Sequence, residues 1–227
     1  MESGNSAAVR DVGVVIVAAG TGSRTGSAEL KQFRWVAGRP MLLHSLQAFM
    51  ARPDVASVVC VLPKSHAGDP PPWIFQCDGD EQHESVRNGL EDLPDEVRIV
   101  LIHDAARPLV SDESIDRVIA EARRGRGAIA ALPVVDTLKQ VDEDGRIVRT
   151  IDRTRVWRAQ TPQGFPRDMI ERAHAEATRS GAVATDDAGL CERLGLEVVV
   201  VRGSERALKI TEEPDFARAD ALSMVAE

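Results

Sequence analysis

Short β-branched runs that read as buried strands recur along this chain, separated by stretches whose apolar residues fall at helical spacing. The first run, Val14-Val15-Ile16-Val17-Ala18-Ala19, breaks into Gly20-Thr21-Gly22-Ser23-Arg24 and continues to Lys31-Gln32. After Arg39-Pro40, residues 41–50 place Met, Leu and Phe at helical spacing, with the proline suited to a first turn. His44 within that helix reads as a packed or surface residue rather than a ligand. Residues 55–62 form a second apolar run closed by Pro63. Strand, loop, helix, strand is a βαβ unit, which predicts a parallel sheet with right-handed crossovers.

The pattern repeats downstream. Residues 64–73 are polar and proline-rich and read as a surface loop, 74–77 as a short strand, and Val86, Leu90 and Leu93 mark a helix. Residues 98–102 are another core strand, which empties into His103-Asp104-Ala105-Ala106-Arg107-Pro108. Ser111, followed by Asp112 and Glu113, caps a helix that runs to about Arg123. A strand at 127–132 ends at Pro133.

At residue 134 the rhythm changes. Two β-prone runs flank Asp144-Gly145, a strong hairpin signal, and a hairpin that interrupts a βα pattern protrudes. Such a hairpin is marginal unless it packs on something, and a second subunit is a natural candidate. Residues 157–166 read as a rigid connector into a helix that starts near Pro166 and ends before Gly181. Thr185-Asp186-Asp187-Ala188 caps a further helix, 196–201 is a last core strand, 207–211 is a short extended run carrying Lys209, and Pro214 opens a closing helix. The expectation is an α/β fold, a mostly parallel sheet flanked by helices, in one domain over 12–227 behind a disordered tail at 1–11.

Charge narrows the partners. The chain has 28 basic and 36 acidic residues, a net charge of −8, which argues against a nucleic-acid-binding surface. A phosphate site must therefore be a local cluster of cations. Cys60, Cys77 and Cys191 are far apart without metal-ligand spacing, as expected of free thiols in a reducing compartment. With no signal-like start and no apolar run approaching ~18 residues, the expectation is a cytoplasmic protein without membrane contact.

The glycine loop after the first strand carries the first candidate chemistry. Its successive N–H groups would make an anion-binding concavity, and Arg24 and Lys31 supply the charge a polyphosphate needs. No Gly-Lys-Ser/Thr follows, so it is not a Walker loop, and Gly26 arrives one position late for a dinucleotide fingerprint. A plain turn would not need the two cations. Asp80 to Ser85 lies where a strand end gives way to a helix, the edge at which open α/β sheets bind ligands, although its acids also suit a helix N-terminus. Asp104 could hold Mg²⁺ or a sugar hydroxyl and Arg107 an anion, or the two could pair with each other.

Taken in order, these motifs resemble the cytidylyltransferases that activate 2-C-methyl-D-erythritol 4-phosphate. The matching pieces are Ala18-Ala19-Gly20-x-Gly22-x-Arg24 with Lys31-Gln32, Gly79-x-Glu81 with Ser85-Val86, and His103-Asp104-Ala105-Ala106-Arg107-Pro108. Asp136-Thr137, Asp152-Arg153, Gln160-Thr161-Pro162-Gln163, Thr185-Asp186 and Lys209-Ile210-Thr211 continue the likeness to about residue 220. The resemblance implies a Rossmann-like nucleotidyltransferase fold, with 134–156 as a β-arm joining a homodimer. It implies transfer of CMP from CTP to methylerythritol phosphate with Mg²⁺ and release of pyrophosphate. By the same likeness Arg24, Lys31, Arg153 and Lys209 would be catalytic. Ala18, Ala19, Gly20, Thr21, Gly22, Gly79, Asp80, Ser85 and Ala105 would bind CTP. Asp104, Arg107, Thr137, Arg153, Thr185 and Lys209 would face the alcohol phosphate, with Thr137 and Arg153 reaching in from the other subunit and Asp104 as the one candidate metal ligand.

Two positions depart from the pattern: Leu30 stands where similar sequences have proline, and Gln82 where they have arginine. The first change should loosen the loop before Lys31, and the second removes a cation near the nucleotide. Alternatives are a ribitol 5-phosphate cytidylyltransferase, a nucleotide-binding regulatory domain without turnover, and a dehydrogenase. Four convergent cations speak against the second of these and the misplaced Gly26 against the third.

Overall fold

The computed structural model describes residues 9–18, 31–62, 74–78 and 82–225, the segments 74–78 and 82–85 by their backbone alone. The first half runs β1 (Val12–Val17), a 3-10 turn at Lys31–Phe33, β2 (Trp35–Val36), β3 (Arg39–Pro40), α1 (Met41–Met50), β4 (Val55–Leu62), β5 (Ile74–Asp78), α2 (Gln82–Glu91) and β6 (Ile99–Asp104). The second half runs α3 (Asp112–Arg123), β7 (Gly127–Pro133), β8 (Leu138–Val141), β9 (Ile147–Ile151), β10 (Trp157–Pro166), α4 (Arg167–Ser180), α5 (Asp187–Arg193), β11 (Val198–Arg202) and α6 (Glu213–Ser223).

Seven strands form one sheet in the order β11-β7-β10-β6-β1-β4-β5. All neighbours are parallel except at β10, which runs antiparallel to both β6 and β7. The two-residue alternation of β1 sends Val12, Val14 and Ile16 to one face, covered by α1 and α3, and Val15 to the other, covered by α2, α4 and α5. A smaller core of Val36, Met41, Ile210, Phe216 and Ala219 forms under α6.

Local signals set the ends of the helices. Ser111 Oγ accepts from Ser114 N at the start of α3, and Asp186 Oδ1 accepts from Gly189 N at the start of α5. Glu212 and Asp215 form a reciprocal capping box on α6, and Gly181 closes α4 in the left-handed region at φ 65°. In the hairpin, Gly145 takes φ 80° between β8 and β9, as its Asp-Gly signal requires. That hairpin is a two-stranded sheet of its own, and Val141, Ile147 and Val148 on it are 51%, 65% and 60% exposed.

Two expectations are corrected. Residues 157–166, expected to be a connector, form the ten-residue strand β10 in the interior of the sheet. The polar residues and proline concealed it because they fall in a break in its pairing with β7 between Ala159 and Gln163, where Pro162 need not donate to the ladder. The last valine run, expected in the core, is the edge strand β11, where Val200 is 44% exposed. A β-branched run alone does not distinguish an edge from a centre. The short 207–211 run belongs to no ladder and is tied to the sheet by Ile210 N donating to Ala106 O at 2.8 Å. Most of the expected 1–11 tail and the whole 64–73 loop lie outside the described residues.

The approach of α3 to the sheet depends on Gly164. A Cβ there would lie 2.4 Å from Val118 Cγ1 and 2.8 Å from Leu101 Cδ2. Gly164→Ala should therefore cost about 1–3 kcal/mol by overpacking. This should lower the thermal midpoint by roughly 2–10 °C. An unchanged midpoint in a melting experiment would show that α3 is free to shift.

Candidate active site

Strand order changes direction at β1: β4 lies on one side of it and β6, reached later in the chain, on the other. The carboxyl ends of β1 and β6 therefore open into the crevice where α/β sheets take ligands, with Val17 level with Asp104. Two buried alanines line this edge. Ala18 N donates to Val61 O at 2.9 Å and Ala105 N to Val17 O at 3.0 Å, so both backbone N–H groups are satisfied within the sheet. The buried Gln32 donates its amide to Ala18 O at 2.6 Å, which ties the 3-10 turn carrying Lys31 to the end of β1.

Cations gather on this edge from distant segments. Lys209 Nζ lies 2.8 Å from Asp104 Oδ2, and Arg107 Nε lies 3.8 Å from the same oxygen. Burial alone would raise the Asp104 pKa, but Lys209, then Arg107 and His103, outweigh it and hold the carboxyl below its ordinary value. The Lys209 side chain remains 42% exposed while Asp104 is 15% exposed, so the cation faces outward from the pair. Lys31 Nζ donates to Ile210 O at 2.9 Å, placing it one residue from Lys209 along the chain. Arg107 turns inward: Nη1 donates to Ala207 O at 2.7 Å and Nη2 to Ala159 O at 3.4 Å. Burial lowers its pKa and Asp104 opposes the change, so the guanidinium stays charged at neutral pH.

His103 supports the turn from beneath. Thr161 Oγ1 accepts from Asp104 N at 3.0 Å; because Arg107 O beside His103 Nε2 can only accept, the neutral ring carries its proton on Nε2, and Thr161 Oγ1 donates to Nδ1 at 3.0 Å. His103 Nε2–H then donates to Arg107 O at 3.2 Å. Burial pushes the imidazole pKa down to about 4 against the pull of Asp104, so the ring is neutral in this network at pH 7.

A cavity of about 240 Å³ opens beside these groups, lined by Asp104, Arg107, Lys209, Thr185, Asp186, Asp187 and the β10 residues Ala159, Gln160, Thr161 and Gln163, with Ile102 at its base. The structure thus brings together Asp104, Arg107, Thr185 and Lys209, residues named in the sequence as facing one substrate. Thr137 stands just before β8 and Arg153 just after β9, both exposed and outside the described lining of this cavity. Ala19, Gly20, Thr21, Gly22, Arg24, Gly79 and Asp80 lie outside the described residues, as does the side chain of Ser85 on α2. Sequence reasoning missed Gln160, Gln163 and His103 as members of the site. Gln160 and Gln163 stood in a motif without a role, and buried polar residues at strand ends are the signal that marks them.

Among the described residues, no group of three or more His, Cys, Asp or Glu converges as a metal cage, and no helix is long and apolar enough to cross a membrane. The acids in the cavity are largely committed: Asp104 to Lys209, Asp186 to Gln163 and Gly189, and Asp187 to His174 at 2.9 Å.

Comparison with known proteins extends the likeness over the whole sheet. The family model for 2-C-methyl-D-erythritol 4-phosphate cytidylyltransferase (IspD) matches residues 12–224. The enzyme of that name from Syntrophus aciditrophicus (strain SB) is 39% identical over 91% of this chain and 93% of its own length. The one from Streptomyces coelicolor is 41% identical over 92% of this chain and 83% of its own. The crystal structure of the enzyme from Thermus thermophilus has 37% identity and a TM-score of 0.81, covering 95% of this chain and all (100%) of that one. A match of this extent, from residue 12 to residue 224, makes the chain a member of the 2-C-methyl-D-erythritol 4-phosphate cytidylyltransferase family.

Proposed function

We propose that this chain transfers CMP from CTP to 2-C-methyl-D-erythritol 4-phosphate in the cytoplasm, forming the CDP-linked alcohol and pyrophosphate. The observation that carries this reading is the convergence of Lys31, Asp104, Arg107 and Lys209 at the carboxyl ends of β1 and β6. A phosphate oxygen of the alcohol attacks the α-phosphorus of CTP in line with the departing pyrophosphate. The attacking group is already an anion, so alignment and charge neutralisation, rather than a strong general base, supply the rate.

In this reading Lys31 leaves Ile210 O for the triphosphate, and Arg24 completes the charge from the glycine loop. Lys209, half-exposed on Asp104, takes the phosphate of the second substrate, and Thr185 lies across the cavity toward its hydroxyls. Ala18 and Ala105, with Ala19, Gly20, Thr21, Gly22, Gly79, Asp80 and Ser85, would hold the nucleotide. Arg107, bound to two carbonyls, serves chiefly to set the turn that presents Asp104. Mg²⁺ fits this donor set as an ion held mainly by phosphate oxygens and water, with Asp104 the nearest carboxylate; bound there, it would neutralise charge on the triphosphate.

The hairpin at 134–156 is proposed as the dimerisation arm. Its Val141, Ile147 and Val148 remain more than half exposed in one copy, and a two-stranded ribbon needs a partner surface. Arg153 and Thr137 of the partner subunit then complete the pocket around the alcohol phosphate.

Pyrophosphate release should require CTP and methylerythritol phosphate together, and should fall away with ATP, GTP or UTP. Release with ribitol 5-phosphate instead would move the protein to that substrate, and no release with any pair would leave a nucleotide binder. Lys31→Ala should lower kcat by roughly 10²–10³-fold with a much smaller change in KM for the alcohol phosphate. Equal losses in both would contradict its place on the triphosphate. Mixing the inactive Arg153→Ala and Lys31→Ala proteins should restore part of the activity, since one of the two sites in each mixed dimer then carries no substitution. Mixtures as inactive as their parents would place Arg153 in its own subunit's site.

A further inference from the structure

Three polar side chains of β10 reach three separate segments of the cleft. Gln160 Oε1 accepts from Ser204 N at 3.2 Å while its Nε2 donates to Ser204 O at 2.9 Å, gripping both backbone groups of one residue in the segment that leads to Lys209. Thr161 Oγ1 accepts from Asp104 N. Gln163 Nε2 donates to Asp186 Oδ2 at 2.8 Å and its Oε1 accepts from Ala188 N at 3.0 Å, fixing the start of α5 just after Thr185. Both glutamines are buried, at 7% and 3% exposure, and each joins two pieces of the cleft rather than two pieces of core. Gly203 leaves the space that Gln160 occupies, since a Cβ there would lie 2.1 Å from Gln160 Oε1.

We propose that Gln160, Thr161 and Gln163 are positioning residues that hold Lys209, Asp104 and Thr185 in mutual register for the second substrate. The proposal rests on the cytidylyltransferase reading above. Each glutamine presents its amide N–H to an acceptor and its oxygen to a backbone N–H, so a carboxylate of the same shape cannot replace it. Glutamate at 160 would face the Ser204 carbonyl, and at 163 the Asp186 carboxylate. Because the three contacts lie along one strand, an error at one end displaces its own segment without disturbing the Gln32–Ala18 contact at the end of β1. A purely structural role would weaken both substrates and the fold together.

Steady-state kinetics of the full chain with CTP and methylerythritol phosphate, with thermal midpoints measured in parallel, test this. Gln160→Glu and Gln163→Glu should each raise KM for the alcohol phosphate by roughly tenfold or more and leave KM for CTP within about twofold. Gln160→Met and Gln163→Met keep the shape without the hydrogen bonds and should act in the same direction, so a glutamate variant that does not fold leaves the test intact. Ile170→Val, which thins the core under α4 away from the cleft, sets the change expected from lost stability alone. Gly203→Ala should raise the same KM in the wild-type chain and raise it less in a Gln160→Ala background, where only the contact with the Ala131 backbone remains. Methionine variants with wild-type KM values, or equal rises for both substrates, would overturn the proposal. A wild-type chain that does not turn over this pair would remove the parent reading and this inference with it.

Discussion

A carboxylate at the mouth of a buried strand is costly unless cations answer it. Asp104 stands in that position, at the carboxyl end of β6 and level with the end of β1. Lys209 arrives from a segment more than a hundred residues later and Arg107 from the following turn, and together they hold the carboxyl ionised. The same requirement draws the 207–211 segment over the sheet edge, where Ile210 bonds to Ala106 and receives Lys31. One charge thus gathers the ends of the chain at one cleft, and the cations left partly exposed there are the ones a phosphorylated ligand can use.

The antiparallel strand β10 makes this gathering possible. A sheet built only of βαβ units brings loops to one edge but gives no side chains that cross between them. By returning through the interior between β6 and β7, β10 carries polar side chains past the 203–207 segment, Asp104 and the start of α5 in succession. The interruption in its pairing with β7 spans Gln160, Thr161 and Pro162, and Gln163 resumes the ladder. There the strand gives up regular ladder bonds and its side chains bond to the surrounding segments instead.

The three hydrophobic clusters have different consequences. The large clusters on either side of the sheet fix the strands, whereas the small one under α6 packs Ile210 and Phe216 beside the β2–β3 ribbon. Arg34 reinforces this smaller core, lying 3.9 Å over the Phe216 ring and pairing with Glu213 at 2.6 Å. The turn that presents Lys31 is therefore braced by the C-terminal helix. Without substrate, Lys31 rests on the same Ile210 segment that carries Lys209.

What the sequence determined by itself was whatever local chemistry dictates. Periodicity placed α1, α3 and β4, capping residues placed the starts of α3 and α5, Asp144-Gly145 placed the hairpin turn, and the ordered motifs pointed to the family. The tertiary structure alone decided that residues 157–166 are an interior strand, that the last valine run is an edge, and that Arg107 spends its donors on Ala207 and Ala159. It also decided that Gln160, Gln163 and His103 belong to the cleft. The physical reason is the same in each case. Strand neighbours and the partners of buried polar groups are contributed by residues distant along the chain, and no local pattern encodes which of them will be adjacent.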